Sequence, residues 1–255
     1  MNAMLSPADA ERVETLQMVR DSAADFAAAG SGVARARSLR FLKPGFSIEA
    51  LKQMCQLGWP GLLLQEHFGG AGLGMPEFCA ITEELGSVLA PEPLIELSMA
   101  AQLLAASAEQ ELLAQVLNGD ALVLPAWQES VNVWESSPSL AFVNGKLTGV
   151  KKFVPAAGTA SAFVVTTSSG LVLVQANALG LSLHVENTQD GCIVGELRFD
   201  QTPARSLSAN EDAMSEALLC ATLAASAYLL GVAERAFAMT LDYLRLRKQF
   251  GRAIG

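Results

Sequence analysis

The last part of the sequence is a long apolar stretch that predicts a single helix. Residues 208–250 contain no proline and one glycine, Gly231, and a helical period runs from Ser208 to Phe250. Acidic residues come first and basic residues last, which is the order that the helix dipole favours. Between Ala217 and Ala238, apolar and small side chains cover nearly every face of this helix. A helix of this kind must be buried by several neighbours, and this sequence offers no later helix to bury it.

The composition argues against several classes of function. The net charge of −9 leaves no basic surface for nucleic acid. With 51% hydrophobic and 17% charged residues, the chain can bury a sizeable core and a subunit interface. The N-terminus has no apolar core of the signal-peptide type, and no window reaches about 18 uninterrupted apolar residues. We therefore expect a cytoplasmic protein without a membrane span.

The cysteines do not indicate a metal site. Four cysteines lie far apart and form no C-x-x-C pair, and the sequence contains two histidines. This arrangement lacks the ligand spacing of a zinc site. We expect no metal, and we expect reduced, buried thiols at Cys55, Cys79, Cys192 and Cys220.

Three compositional regions divide the chain. Residues 1–119 follow a helical period, beginning with a cap at Ser6–Pro7. Residues 120–207 show short strands separated by turns, of which Asn144–Gly145 is the strongest hairpin signal. Residues 208–255 return to the helical period. The predicted fold is therefore α+β and multi-domain, with an all-α N-terminal domain, a small antiparallel β-barrel or sandwich, and the first long helix of a C-terminal helical bundle. The further helices expected in the first region cover 47–58, 76–89, 92–108 and 109–117.

A basic cluster, Tyr243–Arg252 (YLRLRKQFGR), follows the apolar stretch. Guanidinium groups bind phosphate oxygens bidentately, so the cluster can hold a pyrophosphate. It can equally be a solvated helix end whose charges complement the dipole. The residues alone leave both readings open.

Two segments resemble the acyl-CoA dehydrogenase family. Gly231–Phe237 followed by YLRLRKQFG is similar to the family's glycine-led helix, which runs into an Arg-x-Gln-Phe-Gly signature. Gln65–Phe78 with Ile81–Gly86 resembles the family's glycine-rich turn and the Glu-Glu-Leu-Gly helix after it. The helical, β, helical order is also that of the family. The resemblance covers the whole chain and implies FAD, bound in an oligomer such as a dimer or tetramer. In the family, the signature contacts the FAD of a neighbouring protomer, which carries over here to Arg247, Gln249 and Phe250.

Two further stretches correspond to the family's flavin-lining strands and imply cofactor contacts at Trp127, Gln128, Phe153, Val154 and Pro155. In residues 121–130, Glu129 matches the family pattern, but Gln128 replaces a threonine and the final Gly-Ser is lost. In Gly149–Pro155 the glycine, the lysine and an aromatic match, whereas Pro155 replaces a residue with a hydroxyl. Proline has neither a side-chain donor nor an N–H. Backbone contacts to a flavin can survive these changes, and Phe153 is either a flavin-stacking ring or a core aromatic.

The resemblance implies α,β-dehydrogenation of an acyl-CoA thioester, for which a carboxylate must remove the α-proton. Most members carry this glutamate beyond the Arg-x-Gln-Phe-Gly signature, where this sequence has already ended. A minority carry it on the long helix, at a turn that here reads Cys220–Thr222. We therefore assign no catalytic residue. The same helix implies substrate contacts at Leu218, Leu219, Ala221 and Thr222.

Several interpretations stay open at this point. The chain is a dehydrogenase-like flavoprotein with an electron-transfer acceptor, a non-catalytic subunit that completes a homologous partner in a homo- or hetero-oligomer, or a fragment of a full-length enzyme. A scaffolding protein without flavin is a further alternative. We expect this polypeptide by itself to turn over acyl-CoA poorly or not at all, and the sequence does not indicate which acyl chain is bound.

Overall fold

A computed structural model describes residues 7–30, 32–131, 138–209 and 212–254, so the predicted cap at Ser6 lies outside the described residues. The chain forms two compact units. The first unit comprises Met1–Ser38, Gly74–Ala90 and Thr222–Gly255, and the second comprises Leu39–Leu73 and Pro91–Ala221. The division into residues 1–119, 120–207 and 208–255 stays a prediction.

Seven α-helices are present in the described residues: α1 Pro7–Ala29, α2 Val33–Leu39, α3 Ile48–Gln56, α4 Met75–Ser87, α5 Leu94–Ala106, α6 Gln110–Leu117 and α7 Ala213–Leu246. Four of them, α3 to α6, match the predicted helices to within two residues at every end. Ser47 starts α3 as expected, because its hydroxyl accepts a hydrogen bond from the Ala50 N–H at 3.1 Å. Helix α2 was not predicted.

The strands are β1 Val123–Ala126, β2 Ala141–Val143, β3 Lys146–Pro155, β4 Ala162–Thr167, β5 Gly170–Gln175, β6 Leu181–Asn187, β7 Ile193–Pro203, β8 Arg205–Ser206, β9 Lys248–Gln249 and β10 Arg252–Ala253. Two four-stranded sheets have the orders β1-β4-β5-β8 and β2-β3-β7-β6. The hairpin at Asn144–Gly145 joins β2 to β3 as predicted, and β4 pairs with β5 across the predicted turn. The helical N-terminal part, the sheets and the C-terminal helix confirm the fold class.

The sheets differ from the prediction in one respect. Strand β1 pairs with β4 in parallel, whereas every other pairing in the two sheets is antiparallel. The β2–β3 hairpin, which belongs to the other sheet, lies between them in sequence, so the chain re-enters the first sheet in its original direction. Local turn signals could not reveal this long-range pairing.

In the first unit, α1 packs against α4. Ala23 and Phe26 of α1 are buried, as is Phe78 of α4. Arg20 extends from α1 to the carboxylates of Glu83 and Glu84, with nitrogen–oxygen distances of 3.0 Å and 2.9 Å. Apolar contact and a forked ion pair therefore hold the two helices together.

Helix α7 crosses α4 within the same unit at very short range. A Cβ added at Gly231 would overlap the carbonyl oxygen of Glu83, and one added at Gly86 would overlap that of Tyr228. The Tyr228 hydroxyl also donates to the Ala90 carbonyl at 3.1 Å. Glycines on both helices thus allow the two backbones to touch.

Helix α7 is shorter than the expected span. It begins at Ala213 and ends at Leu246, after which β9 and β10 form a tight hairpin instead of further helix. Phe250 and Gly251 at the hairpin turn have φ values of 51° and 81°, which no α-helix accommodates. The prediction of helix from Ser208 to Phe250 was wrong at both ends.

Small residues form the buried side of α7. Its buried residues are Ala213, Ala217, Ala224 and Gly231, whereas Leu219, Leu229 and Phe237 belong to the larger side chains that are exposed. By length and composition, α7 would also qualify as a membrane-spanning helix. The same composition suits a helix packed among others, as the family resemblance implies.

In the second unit, α5 packs against α6, β1 and the single helical turn Trp59–Gly61. Leu97, Leu103 and Leu104 of α5 are fully buried, and every residue of β1 and β4 is buried as well. Strands with no solvent-facing side need apolar cover on both faces. Helix α5 lies against β1 and supplies such cover.

We expect Gly231→Ala to destabilise the first unit by about 1–3 kcal/mol, because the new methyl group meets the Glu83 backbone. Helix propensity alone would favour alanine by about 1 kcal/mol. Urea unfolding of both proteins measures the difference. Gly158→Ala is the matched control, since its Cβ would lie 3.7 Å from its nearest neighbour. A Gly231→Ala variant as stable as the parent would contradict the close helix crossing.

Candidate functional site

The second unit contains a fully buried lysine. The Lys151 side chain is 0% exposed, and it projects from β3. Its ammonium group donates to the Trp127 carbonyl at 3.1 Å, to Glu129 Oε1 at 2.6 Å and to Thr166 Oγ1 at 2.8 Å. A buried ammonium is tolerated when its charge is paired and its protons are bonded, as they are here.

Glu129 is bonded from several sides. Its carboxylate accepts from the Ser139 N–H, from the Ser139 hydroxyl at 2.5 Å and from the Leu140 N–H at 3.1 Å, in addition to Lys151. Burial by itself would raise the pKa of Glu129, but these bonds to Lys151, Ser139 and Leu140 outweigh it and lower the pKa to about 2. The carboxylate is therefore charged throughout the neutral range.

These contacts bring together the two stretches that the family resemblance assigns to the flavin. Lys151 bonds to residues Trp127 and Glu129 of the first stretch, and the Lys152 N–H donates to the Gln128 carbonyl at 2.8 Å. Trp127 and Gln128 are half-buried. The segment after β1 is thus held against β3, although the two strands belong to different sheets.

Strand β3 bulges where the predicted stacking residue lies. Its register with β7 shifts between Lys151 and Val154, and Phe153 takes a φ of 56°. A left-handed conformation is rare for an aromatic residue and costs about 1–3 kcal/mol; such residues cluster at functional sites. The Phe153 side chain is 43% exposed. The bulge therefore presents an aromatic ring at the surface of this unit.

The other predicted residues of β3 are placed differently. Val154 as a whole is 1% exposed, so it offers a cofactor almost no surface. Pro155 is half-buried and pairs with Val194 of β7. Their assignment to the cofactor stays a prediction.

Arg247, Gln249 and Phe250 lie at the β9–β10 hairpin of the first unit, and all three are exposed. The Arg247 guanidinium stacks on the Tyr243 ring at 5.7 Å. Phe250 at the turn is fully exposed. Within this chain they do not share a unit with residues 127–155, and their role towards a neighbouring protomer stays a prediction.

The predicted substrate residues lie on α7, of which the part up to Ala221 belongs to the second unit and the part from Thr222 to the first. Leu218 and Ala221 are half-buried, Leu219 is 71% exposed and Thr222 is exposed. The Thr222 carbonyl accepts from the Ser226 hydroxyl at 2.8 Å. Leu218, Ala221 and Thr222 share one helix face by their spacing, but one face does not define a pocket by itself, so these assignments also remain predictions.

Sequence reasoning left Lys151 and Thr166 out of the site. A lysine flanked by apolar strand residues was a usable signal, because a charge at an inward-facing strand position needs a partner. The partner at Thr166 could not be read locally, since it arrives on β4 through tertiary packing. Among the described residues no cluster of three or more His, Cys, Asp or Glu could hold a metal.

Comparison with known proteins places this geometry in a family. The sequence profile of the acyl-CoA dehydrogenase N-terminal domain matches residues 13–120. A variant of the Tcur3481–Tcur3483 steroid ACAD is 32% identical, with a TM-score of 0.85 over 95% of this chain and 70% of that one. The chain belongs to the acyl-CoA dehydrogenase family.

Two mycobacterial relatives support the assignment. The acyl-CoA dehydrogenase FadE28 of Mycobacterium tuberculosis is 30% identical over 203 residues, which cover 77% of this chain and 60% of FadE28. A chain in the crystal structure of the ChsE4–ChsE5 complex from the same organism is 26% identical, with a TM-score of 0.82 over 100% of this chain and 71% of that chain. This chain thus spans 60% of the length of FadE28.

We expect Glu129→Gln to lower the free energy of unfolding at pH 7 by about 2 kcal/mol, after allowance for solvent screening. The pKa of Glu129 is about 2 in the folded state and lies near 4.5 when unperturbed. Its contribution is therefore present above pH 4.5 and is lost as the pH falls from 4.5 towards 2. Urea unfolding across this range measures it. The exposed Glu111→Gln is the control, and equal pH dependence in the parent and Glu129→Gln would contradict the assignment.

Proposed function

We propose that this protein takes part in the α,β-dehydrogenation of an acyl-CoA thioester, with FAD as the hydride acceptor. The observation that carries the proposal is the bonding of segment 127–129 to β3 through Lys151, next to the exposed ring of Phe153. These are the two stretches that line the flavin in the family that the chain belongs to.

The residues present fit a flavin through backbone and ring contacts. Phe153 offers an aromatic face for stacking, and the segment after β1 offers backbone N–H groups that do not depend on the replaced side chains. Trp127, Gln128 and Pro155 complete the proposed lining, and the buried Val154 supports it from the core. Bound FAD supplies the acceptor for the β-hydrogen and its electron pair while the α-carbon loses a proton, which yields an enoyl thioester.

The hairpin at the end of α7 would serve a neighbouring protomer. Arg247 and Gln249 are exposed and carry the donors that a pyrophosphate needs. We propose that Arg247 and Gln249 hold the FAD pyrophosphate of that neighbour, with Phe250 packing beside it, so that FAD lies at a subunit interface. An external electron-transfer acceptor would reoxidise it.

For the substrate, we propose a set of pocket residues and a class of thioester. Leu218, Leu219, Ala221 and Thr222 would line the acyl pocket. A CoA thioester with a steroid side chain is the class to test first, because the 32% identical structure is a steroid ACAD. The turn Cys220–Thr222 carries no carboxylate, so the base that removes the α-proton must come from another chain segment or subunit.

We expect the purified protein to bind FAD and to show the absorption bands of oxidised flavin. Arg247→Ala should weaken FAD binding by about tenfold or more, since charge-assisted hydrogen bonds contribute about 1.5–3 kcal/mol. Fluorescence titration of the apoprotein measures the affinity. The exposed Arg12→Ala on α1 is the control with equal loss of charge. A colourless protein that takes up no FAD would refute the proposal.

We expect the 255-residue polypeptide alone to reduce an artificial dye acceptor slowly or not at all with straight-chain, branched and steroid acyl-CoA thioesters. The physical reason is that no carboxylate stands at the family's helix position for the base. Adding a longer homologous dehydrogenase subunit tests whether a partner supplies it. Rapid turnover by the polypeptide alone would show that one of its own carboxylates acts as the base.

A further inference from the structure

We propose that Lys151 is a positioning residue for the cofactor: its ammonium fixes the Trp127–Gln128 peptide group and the Glu129 side chain, so that N–H groups of the segment after β1 face the flavin ring. The inference rests on the proposed function and names which group of this chain orders the flavin-binding segment. It concerns the backbone of residues 127–129.

The first peptide group is oriented by the bond between the Lys151 ammonium and the Trp127 carbonyl, at 3.1 Å. A trans peptide is planar, so its C=O and N–H point in opposite directions. With the Trp127 carbonyl turned towards Lys151, the Gln128 N–H points away from β3.

The second peptide group is oriented in the same way. The Gln128 carbonyl accepts from the Lys152 N–H at 2.8 Å. The Glu129 N–H therefore also points away from β3. The Glu129 carboxylate is meanwhile held by Lys151 at 2.6 Å, which anchors the end of the segment. Two successive N–H groups thus point away from β3, where acceptor atoms of a cofactor can reach them.

This chain depends on these backbone donors more than the family pattern requires. Gln128 stands where the family has a threonine, and Pro155 stands where it has a hydroxyl-bearing residue. Proline contributes neither a hydroxyl nor an N–H. With two side-chain donors lost, the orientation of the 127–129 backbone decides how many polar contacts a flavin can make.

A purely structural role makes a different prediction from a positioning role. Removing one partner of a buried ion pair leaves a costly unpaired charge, whereas removing both charges is often nearly neutral for stability. If Lys151 only stabilises the fold, restoring stability should also restore cofactor binding. If it positions the segment, binding should stay weak after stability has recovered.

The test compares Lys151→Met with Lys151→Met/Glu129→Gln in the full chain, measuring urea unfolding and FAD affinity for each. We expect the single variant to be strongly destabilised and the double variant to recover most of that loss. FAD affinity of the double variant should remain lower than that of the parent by about tenfold or more, because the Trp127 carbonyl has lost its charged donor and keeps only the longer bond from the Thr166 hydroxyl, at 3.4 Å. The flavin absorption bands should shift as well, since ring contacts change.

Val116→Ala is the matched control, because it truncates a fully buried side chain of α6 in the same unit and leaves the bonds of Lys151 to Trp127 and Glu129 in place. It should lower stability and leave FAD affinity within about twofold of the parent. Parental FAD affinity in the double variant would overturn the inference while the proposed function stands. A parent that binds no FAD would overturn both.

A measurement on the parent protein keeps the inference testable even if the double variant does not fold. Amide hydrogen exchange of Gln128 and Glu129 should be slowed when FAD binds to the apoprotein, because their N–H groups acquire acceptors. Unchanged exchange at both amides in the FAD-bound protein would overturn the inference.

Discussion

A buried ammonium group needs acceptors on every side, and at Lys151 these acceptors come from two sheets. The lysine belongs to β3, whereas Thr166 and the segment after β1 belong with the other sheet. An unpaired buried charge costs several kcal/mol. Strands β1 and β3 therefore cannot separate without leaving the Lys151 ammonium exposed or without its partners. The interaction therefore sets the position of β1 relative to β3. The backbone geometry of residues 127–129, the proposed flavin-binding segment, follows from the position of β1.

Helix α7 is shaped by a second constraint, the close approach of backbones in the first unit. Gly231 and Gly86 allow this approach because neither carries a Cβ. Small residues consequently occupy the buried side of α7, and its large apolar side chains, such as Leu229 and Phe237, remain exposed. Exposed large apolar side chains of this kind mark a place where further helices or another subunit pack. The exposed hairpin that follows is consistent with an FAD site shared between protomers.

Local chemistry made much of the fold predictable. Ser47 capped its helix, and the Asn144–Gly145 turn joined its two strands, because both signals act within a few residues. The prediction failed at the end of α7, where basic residues with good helix propensity enter a hairpin instead. It also missed the parallel pairing of β1 with β4. Both outcomes depend on residues that are distant in sequence or on a turn conformation that periodicity does not report.

For the site, the sequence by itself determined the family, the candidate flavin stretches and the loss of the usual donors at Gln128 and Pro155. Those conclusions rest on residue identity, which the sequence states directly. Tertiary structure alone decided that Lys151 is fully buried, that Phe153 adopts a strained conformation on a bulge, and that Val154 faces the core. The physical reason is that burial and backbone strain are set by which strands pack together, and that packing joins residues far apart along the chain.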